Sequence, residues 1–173
     1  MDAFIDAFIR IDSRGLGVVT FDDLERYVEK NHLDKVMVTK WKDLFDPTNT
    51  GRITLQTFCE KLGLKPAAVI EKRRIIFGLG EDIRVVSSDM TIEDEVVTSD
   101  EARRLVKSSD HFDPLAIIRG LKKFLDAKYG PSWQVEIARG SYWIIHDHLP
   151  SYSFHFIMNG YAYLIWKIAE PLN

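Results

Sequence analysis

The chain has one cysteine, Cys59, among its 173 residues. A disulfide framework is therefore excluded, and a reducing compartment is the expected setting. No apolar run approaches the roughly 20 residues that cross a bilayer, so no membrane span is expected. A basic excess is also missing: 23 Lys and Arg stand against 26 Asp and Glu, a formal net charge of −3. General nucleic-acid binding and attraction to an anionic membrane surface are not expected of such a chain. The opening stretch MDAFIDAFIR carries acids within its apolar run and does not read as a secretory signal. Catalytic signatures are missing too. Ser, His and Asp occur without a nucleophile motif around them. The GLG at 78–80 lacks the third glycine and the strand–turn–helix setting of a phosphate cradle. Enzymatic activity is not expected. What is present is 46% hydrophobic and 12% aromatic content, enough for a real core. The reading is of a soluble intracellular protein.

Periodicity divides the chain in two. Residues 1–65 read as helices separated by loops, with Phe4, Ile5, Phe8 and Ile9 at helical spacing, then Leu24, Tyr27 and Val28, then Trp41, Leu44 and Phe45. A fourth helix carries Leu55, Phe58, Cys59 and Leu62 and stops at Gly63. A linker follows over 66–82, its helix opened by Pro66 with Gly78 beyond its end. Residues 83–173 change character. A strand is expected at IRVVSS, helices over 91–108 and 114–128, and then four strands, in the order β-α-α-β-β-β-β. Asp113 and Pro114 suit the cap and first position of the second helix, and Asn159-Gly160 suits a tight hairpin turn. The fold class is α+β.

Two loops in the first half share one frame. A calcium-binding helix–loop–helix places oxygen ligands at loop positions 1, 3, 5, 7, 9 and 12, with glycine at position 6. In DSRGLGVVTFDD, residues 12–23, Asp12, Gly17, Val19 and Asp23 fall at positions 1, 6, 8 and 12. In DPTNTGRITLQT, residues 46–57, Asp46, Gly51 and Ile53 fall at 1, 6 and 8. Two such loops in tandem between amphipathic helices resemble an EF-hand pair. The ligands have thinned, however. Arg14 and Leu16 occupy positions 3 and 5 of the first loop. The second offers the hydroxyls of Thr48, Thr50 and Thr54 and the carbonyl of Arg52, but Thr57 replaces the bidentate glutamate. With Asp46 its only carboxylate, the second loop is expected at or beyond the ~mM end of calcium affinity. Cofactors are expected to be none, or weakly bound Ca2+.

In the second half, KYGPSW at 128–133, GSYW at 140–143 and the closing FHFIMNGYAYLIWK resemble the dynein light chains over about residues 83–168. That resemblance implies a homodimer made by exchanging the strand after GSYW. It also implies extended peptides added to that strand's edge, where backbone bonds supply affinity. The edge would comprise Tyr142, Trp143, Ile144 and Ile145, and Leu115 takes the place at the groove's end where the family tends to carry lysine. The segment IIHDHLPS is longer than the family's and contains Pro150, which donates no ladder bond. Three remaining features read as unremarkable: His146, His148 and His155 as solvated loop residues, EKRR at 71–74 as a solvated helix face, and Cys59 as core.

An EF-hand pair joined by a helix to a dynein-light-chain-like domain resembles the tegumental, or tegument-allergen-like, proteins of parasitic flatworms. The resemblance implies an antigenic, non-enzymatic cytoplasmic protein beneath the worm's surface membrane. Its expected role is that of an adaptor binding a protein or peptide through the second domain, with calcium binding lost or weak. The alternative is a calcium sensor that works through the second loop.

Overall fold

The computed structural model describes residues 2–170. The chain forms two compact units, one ending at Arg73 and the other beginning at Arg74. The division falls within a helix, Pro66–Ile76, at the eighth residue of the expected linker.

The first unit contains α1 (Asp2–Ile11), β1 (Val18–Thr20), α2 (Phe21–Lys30), α3 (Val36–Phe45), β2 (Arg52–Thr54), α4 (Leu55–Leu62) and the first part of α5 (Pro66–Ile76). The helical spacing places Phe8, Trp41, Phe45 and Phe58 together in one core. Phe8 stacks on Phe58 at 4.5 Å between ring centroids, and Phe45 meets Phe58 at 4.9 Å. Such aromatic pairs add to the stabilisation from area burial alone. Cys59 lies buried in this core, where desolvation pushes its thiol pKa up; a raised pKa suits an inert thiol. Gly63 ends α4 in the left-handed conformation (φ +66°) that glycine adopts without strain.

The second unit contains β3 (Arg84–Ser88), α6 (Ile92–Lys107), α7 (Pro114–Tyr129), β4 (Trp133–Ala138), β5 (Ser153–Met158) and β6 (Tyr161–Lys167). The four strands form one antiparallel sheet in the order β3-β5-β6-β4. Alternation sends Trp133, Phe154, Phe156, Met158, Tyr163 and Ile165 to one face. There they pack with Ile117, Leu121 and Leu125 of α7, as period two requires. The opposite face carries Ala162, Leu164 and Trp166. Asp113 accepts the backbone N–H of Ala116 at 3.1 Å and Pro114 opens α7. The β5–β6 turn has both Asn159 (φ 52°) and Gly160 (φ 77°) left-handed, the conformation of a two-residue type I′ hairpin.

One expected element is absent. Among the described residues three strands follow α7, not four, because residues 142–148 belong to no strand. The fold class is α+β.

Candidate functional site

The two loops of the first unit are built alike. Val19 pairs with Ile53 across the β1–β2 ladder, and both side chains are wholly buried. At the head of each loop a carboxylate turns inward. Asp12 accepts the N–H of Leu16 at 2.8 Å and of Gly17 at 2.9 Å. Asp46 accepts those of Thr50 and Gly51, each at 2.9 Å. Burial pushes the Asp46 carboxyl upward, but the hydrogen bonds from Thr50 and Gly51, with Lys42 nearby, hold it below the ordinary carboxylate value. At the tail of each loop, positions 9 and 12 cap the following helix. Thr20 and Asp23 form a reciprocal capping box on α2, and Asp23 also pairs with Arg26 at 2.5 Å. Thr54 caps α4 by accepting from the N–H of Thr57, and the two hydroxyls meet at 2.7 Å. Side chains expected among the ligands are thus engaged in helix capping.

The middle of the second loop closes on itself. The Thr50 hydroxyl lies 2.8 Å from Asp46 Oδ1 and 3.0 Å from the carbonyl oxygen of Arg52. Three candidate ligands, at positions 1, 5 and 7, are therefore together, while Thr48 is exposed. Among the described residues no group of three or more His, Cys, Asp or Glu is placed to hold a metal ion.

The second candidate site is the segment that replaces the missing strand. Across residues 142–147 half-buried and exposed positions alternate with period two, as in a strand. Tyr142 and Ile144 turn inward onto Ala162, Leu164 and Trp166. Trp143 and Ile145 point outward and are 91% and 101% exposed. Yet no backbone hydrogen bond from residues 141–148 is found among the described residues; the first is Leu149 N–H to the carbonyl of Lys167, at 2.8 Å. The segment lies across a sheet face instead of joining an edge, so its backbone groups have no ladder partner. Its side chains anchor it. Tyr142 Oη shares a 2.6 Å hydrogen bond with His155 Nε2, and the His146 ring lies 4.5 Å from that of Trp166. At the far end His148 Nε2 meets Asp89 Oδ2 at 2.9 Å. Asp89 also accepts the N–H groups of Ser151 and Ser153. His146 and His155 are half-buried anchors, which corrects the expectation of solvated loop residues for these two, whereas His148 is exposed and in a loop, as expected. Leu115, 61% exposed in the first turn of α7, sits with the helices on the other face of the sheet, and the structure does not bring it to Tyr142–Ile145.

The family model described as dynein light chain type 1 matches residues 82–168, half of the chain. The chain belongs to this family. Over nearly its whole length it is also similar to a Schistosoma mansoni tegument antigen, at 27% identity across 96% of this chain and 93% of that protein. Among solved structures, the calmodulin-like domain of CsTAL3 is 55% identical, with a TM-score of 0.41, covering 43% of this chain and 92% of that one. The dynein-light-chain-like domain of CsTAL3 is 33% identical, with a TM-score of 0.46, covering 53% and 97%. The chain is thus similar to tegument antigens over nearly its whole length, as the paired loops and the KYGPSW run led one to expect. Among the described residues no helix is long and apolar enough to cross a membrane.

Within the dynein light chain domain, the KYGPSW run serves the fold. The Tyr129 hydroxyl donates to Asp94 at 2.5 Å, Trp133 is wholly buried, and Asp126 accepts the Trp133 N–H at 3.1 Å. Burial, with Asp94 beside it, pushes the Tyr129 pKa far up. The 71–74 run requires a correction. Arg73 is 9% exposed, and Arg74 makes a two-pronged ion pair with Glu95, at 2.8 and 3.1 Å, where Glu95 is 1% exposed. Charge alone suggested a solvated face; the acids that bury these arginines lie far away in sequence, so local periodicity could not reveal them.

Proposed function

We propose that this chain is a non-enzymatic adaptor of the tegument whose light-chain domain joins a second copy of itself, or an extended peptide, along residues 141–148. One observation carries the reading. A strand-like segment with unpaired backbone groups presents Trp143 and Ile145 almost fully to the outside. Unpaired backbone donors and acceptors take a strand, and exposed aromatic and aliphatic side chains on the same segment are the usual anchors of an interface. Tegument location is supported by the similarity to the Schistosoma antigen. Calcium binding is lost or weak in this reading, because Asp23, Thr54 and Thr57 cap helices and Asp12 is satisfied by backbone N–H groups.

Sedimentation equilibrium of the full chain tests the reading, alone and with a panel of extended peptides. The parent is expected to dimerise or to bind a peptide at tens of micromolar. The double variant Trp143→Ser/Ile145→Ser should weaken that association at least ~100-fold. Burying one isoleucine is worth about 1.5–3 kcal/mol, and each ~1.4 kcal/mol is a factor of ten. A monomeric parent that binds no peptide contradicts the proposal, as does a variant that associates like the parent.

Calcium sensing by the second loop is the competing reading, favoured by the gathering of Asp46, Thr50 and the Arg52 carbonyl. It requires calorimetric calcium binding tighter than ~10 μM that Asp46→Ala abolishes. Without that heat, the adaptor reading stands.

A further inference from the structure

Arg73 lies against the first loop. Its Nη1 donates to the backbone carbonyl of Asp12 at 2.6 Å and reaches Asp12 Oδ2 at 3.5 Å. Its Nη2 donates to the carbonyl of Ser13 at 2.8 Å. Both carbonyls stand where α1 ends, and the C-terminus of a helix carries partial negative charge that favours a cation. The Asp12 carboxylate adds a full charge at the same place, and it is 5% exposed against 11% for the Arg73 side chain. Removing a partner from a buried pair of this kind leaves an uncompensated charge, which is costly.

Three further features hold the guanidinium in position. Val69, one turn earlier on α5, is 4% exposed, so Val69 and Arg73 form a single buried stripe. Lys72 meets Asp2 at 3.1 Å and Asp6 at 3.0 Å on α1. Gly15 leaves the space: its φ is +71°, and a Cβ there would lie 3.1 Å from Arg73 Nη2. The second loop is different. No cationic side chain hydrogen-bonds to Asp46 among the described residues, although its carboxylate is turned inward in the same way.

We propose that Arg73 is the resident cation of the first loop, so that α5 acts as an internal ligand that clamps this loop and closes it to divalent ions. The loop has lost side-chain oxygens at positions 3 and 5, to Arg14 and Leu16, but keeps an inward carboxylate beside two helix-end carbonyls. A planar guanidinium with several fixed donors fits that set of acceptors. A divalent ion approaching it meets a fixed positive charge in a poorly solvated place. The inference deepens the calcium-insensitive part of the proposed function and rests on that reading for the first loop alone; the partner-binding part is independent of it.

The test uses the 15N-labelled full chain, with the Gly17 and Gly51 amides as reporters, since each donates at 2.9 Å to the carboxylate heading its own loop. Arg73→Gln is expected to speed amide exchange at Leu16 and Gly17 by about tenfold or more, the scale of one charge-assisted hydrogen bond, and to leave Gly51 unchanged. Arg73→Lys, which keeps the charge without the fork, should show a smaller loss confined to Gly17, and it decides the matter if Arg73→Gln does not fold. Unchanged protection at Gly17, or equal loss at Gly17 and Gly51, overturns the assignment and makes Arg73 an ordinary packing residue. A calcium titration of the parent separates the two failures. If the Gly17 resonance moves saturably below ~1 mM calcium, the calcium-insensitive reading of this loop fails, whatever the variants do.

Discussion

Replacing Ile53 with alanine asks whether the paired loops are retained for shape. Ile53 is wholly buried and pairs with Val19 at the centre of a ladder only three residues long. The change removes three carbons from the core. At about 0.8 kcal/mol per buried methylene the transfer loss is ~2.4 kcal/mol. If about half of the vacated ~80 Å3 persists as a cavity, a further ~1 kcal/mol is lost at ~24 cal/mol per Å3. The expected total is about 3–3.5 kcal/mol, a large share of the stability of a small unit. Urea titrations followed by NMR at the Gly17 and Gly51 amides report this unit residue by residue, while Tyr163 and Ile165 amides report the other unit as a control. Both loops should lose their structure at the same lower urea concentration, because one ladder holds them. A loss below ~1 kcal/mol, or a loss confined to one loop, would refute the argument that Val19 and Ile53 bind the loops into one structural element.

Other outcomes follow from the second unit. Arg74→Met should leave the Glu95 carboxylate buried without its two-pronged partner and cost about 3–5 kcal/mol, read from hydrogen exchange at Tyr163 and Ile165. Arg74→Met with Glu95→Met should recover most of that loss, since no buried charge remains; a double variant no more stable than the single one would contradict this account. His155 should titrate below the ordinary histidine value of 6.5, because burial, the neighbouring His146 and Arg84 all disfavour its charged form. A folded-state pKa below the unfolded one means that stability is complete above about pH 6.5 and declines as pH falls from there toward the folded value. The slope is at most ~1.4 kcal/mol per pH unit, and the loss levels off below the folded value. An NMR midpoint at or above 6.5 for His155 would overturn this account of its surroundings.

Much of the architecture was legible because it depends on local rules. Glycine at position 6 and an apolar residue at position 8 mark the turn and the pairing of each loop, whatever happens to the ligands between them. Asp113-Pro114 and Asn159-Gly160 set backbone angles within two residues of themselves. The alternation of Phe154, Phe156 and Met158 assigns a face of the sheet by period two alone. The same rule failed at Tyr142–His148. Residues 142–147 do alternate, but alternation specifies which side chains share a face and says nothing of whether a neighbouring strand is there to pair.

By itself, then, the sequence determined the two helix–loop–helix units, the α+β domain with its family signature, and the thinning of the ligand set. Only the tertiary structure decided what the polar side chains do. Arg73 and Asp12 are 61 residues apart, Arg74 and Glu95 are 21 apart, and His148 and Asp89 are 59 apart. Helix and strand periodicity reach only a few residues along the chain. A charged side chain meets its partner where distant segments pack, so whether a basic run lies in water or becomes the cation of a loop is settled by the fold.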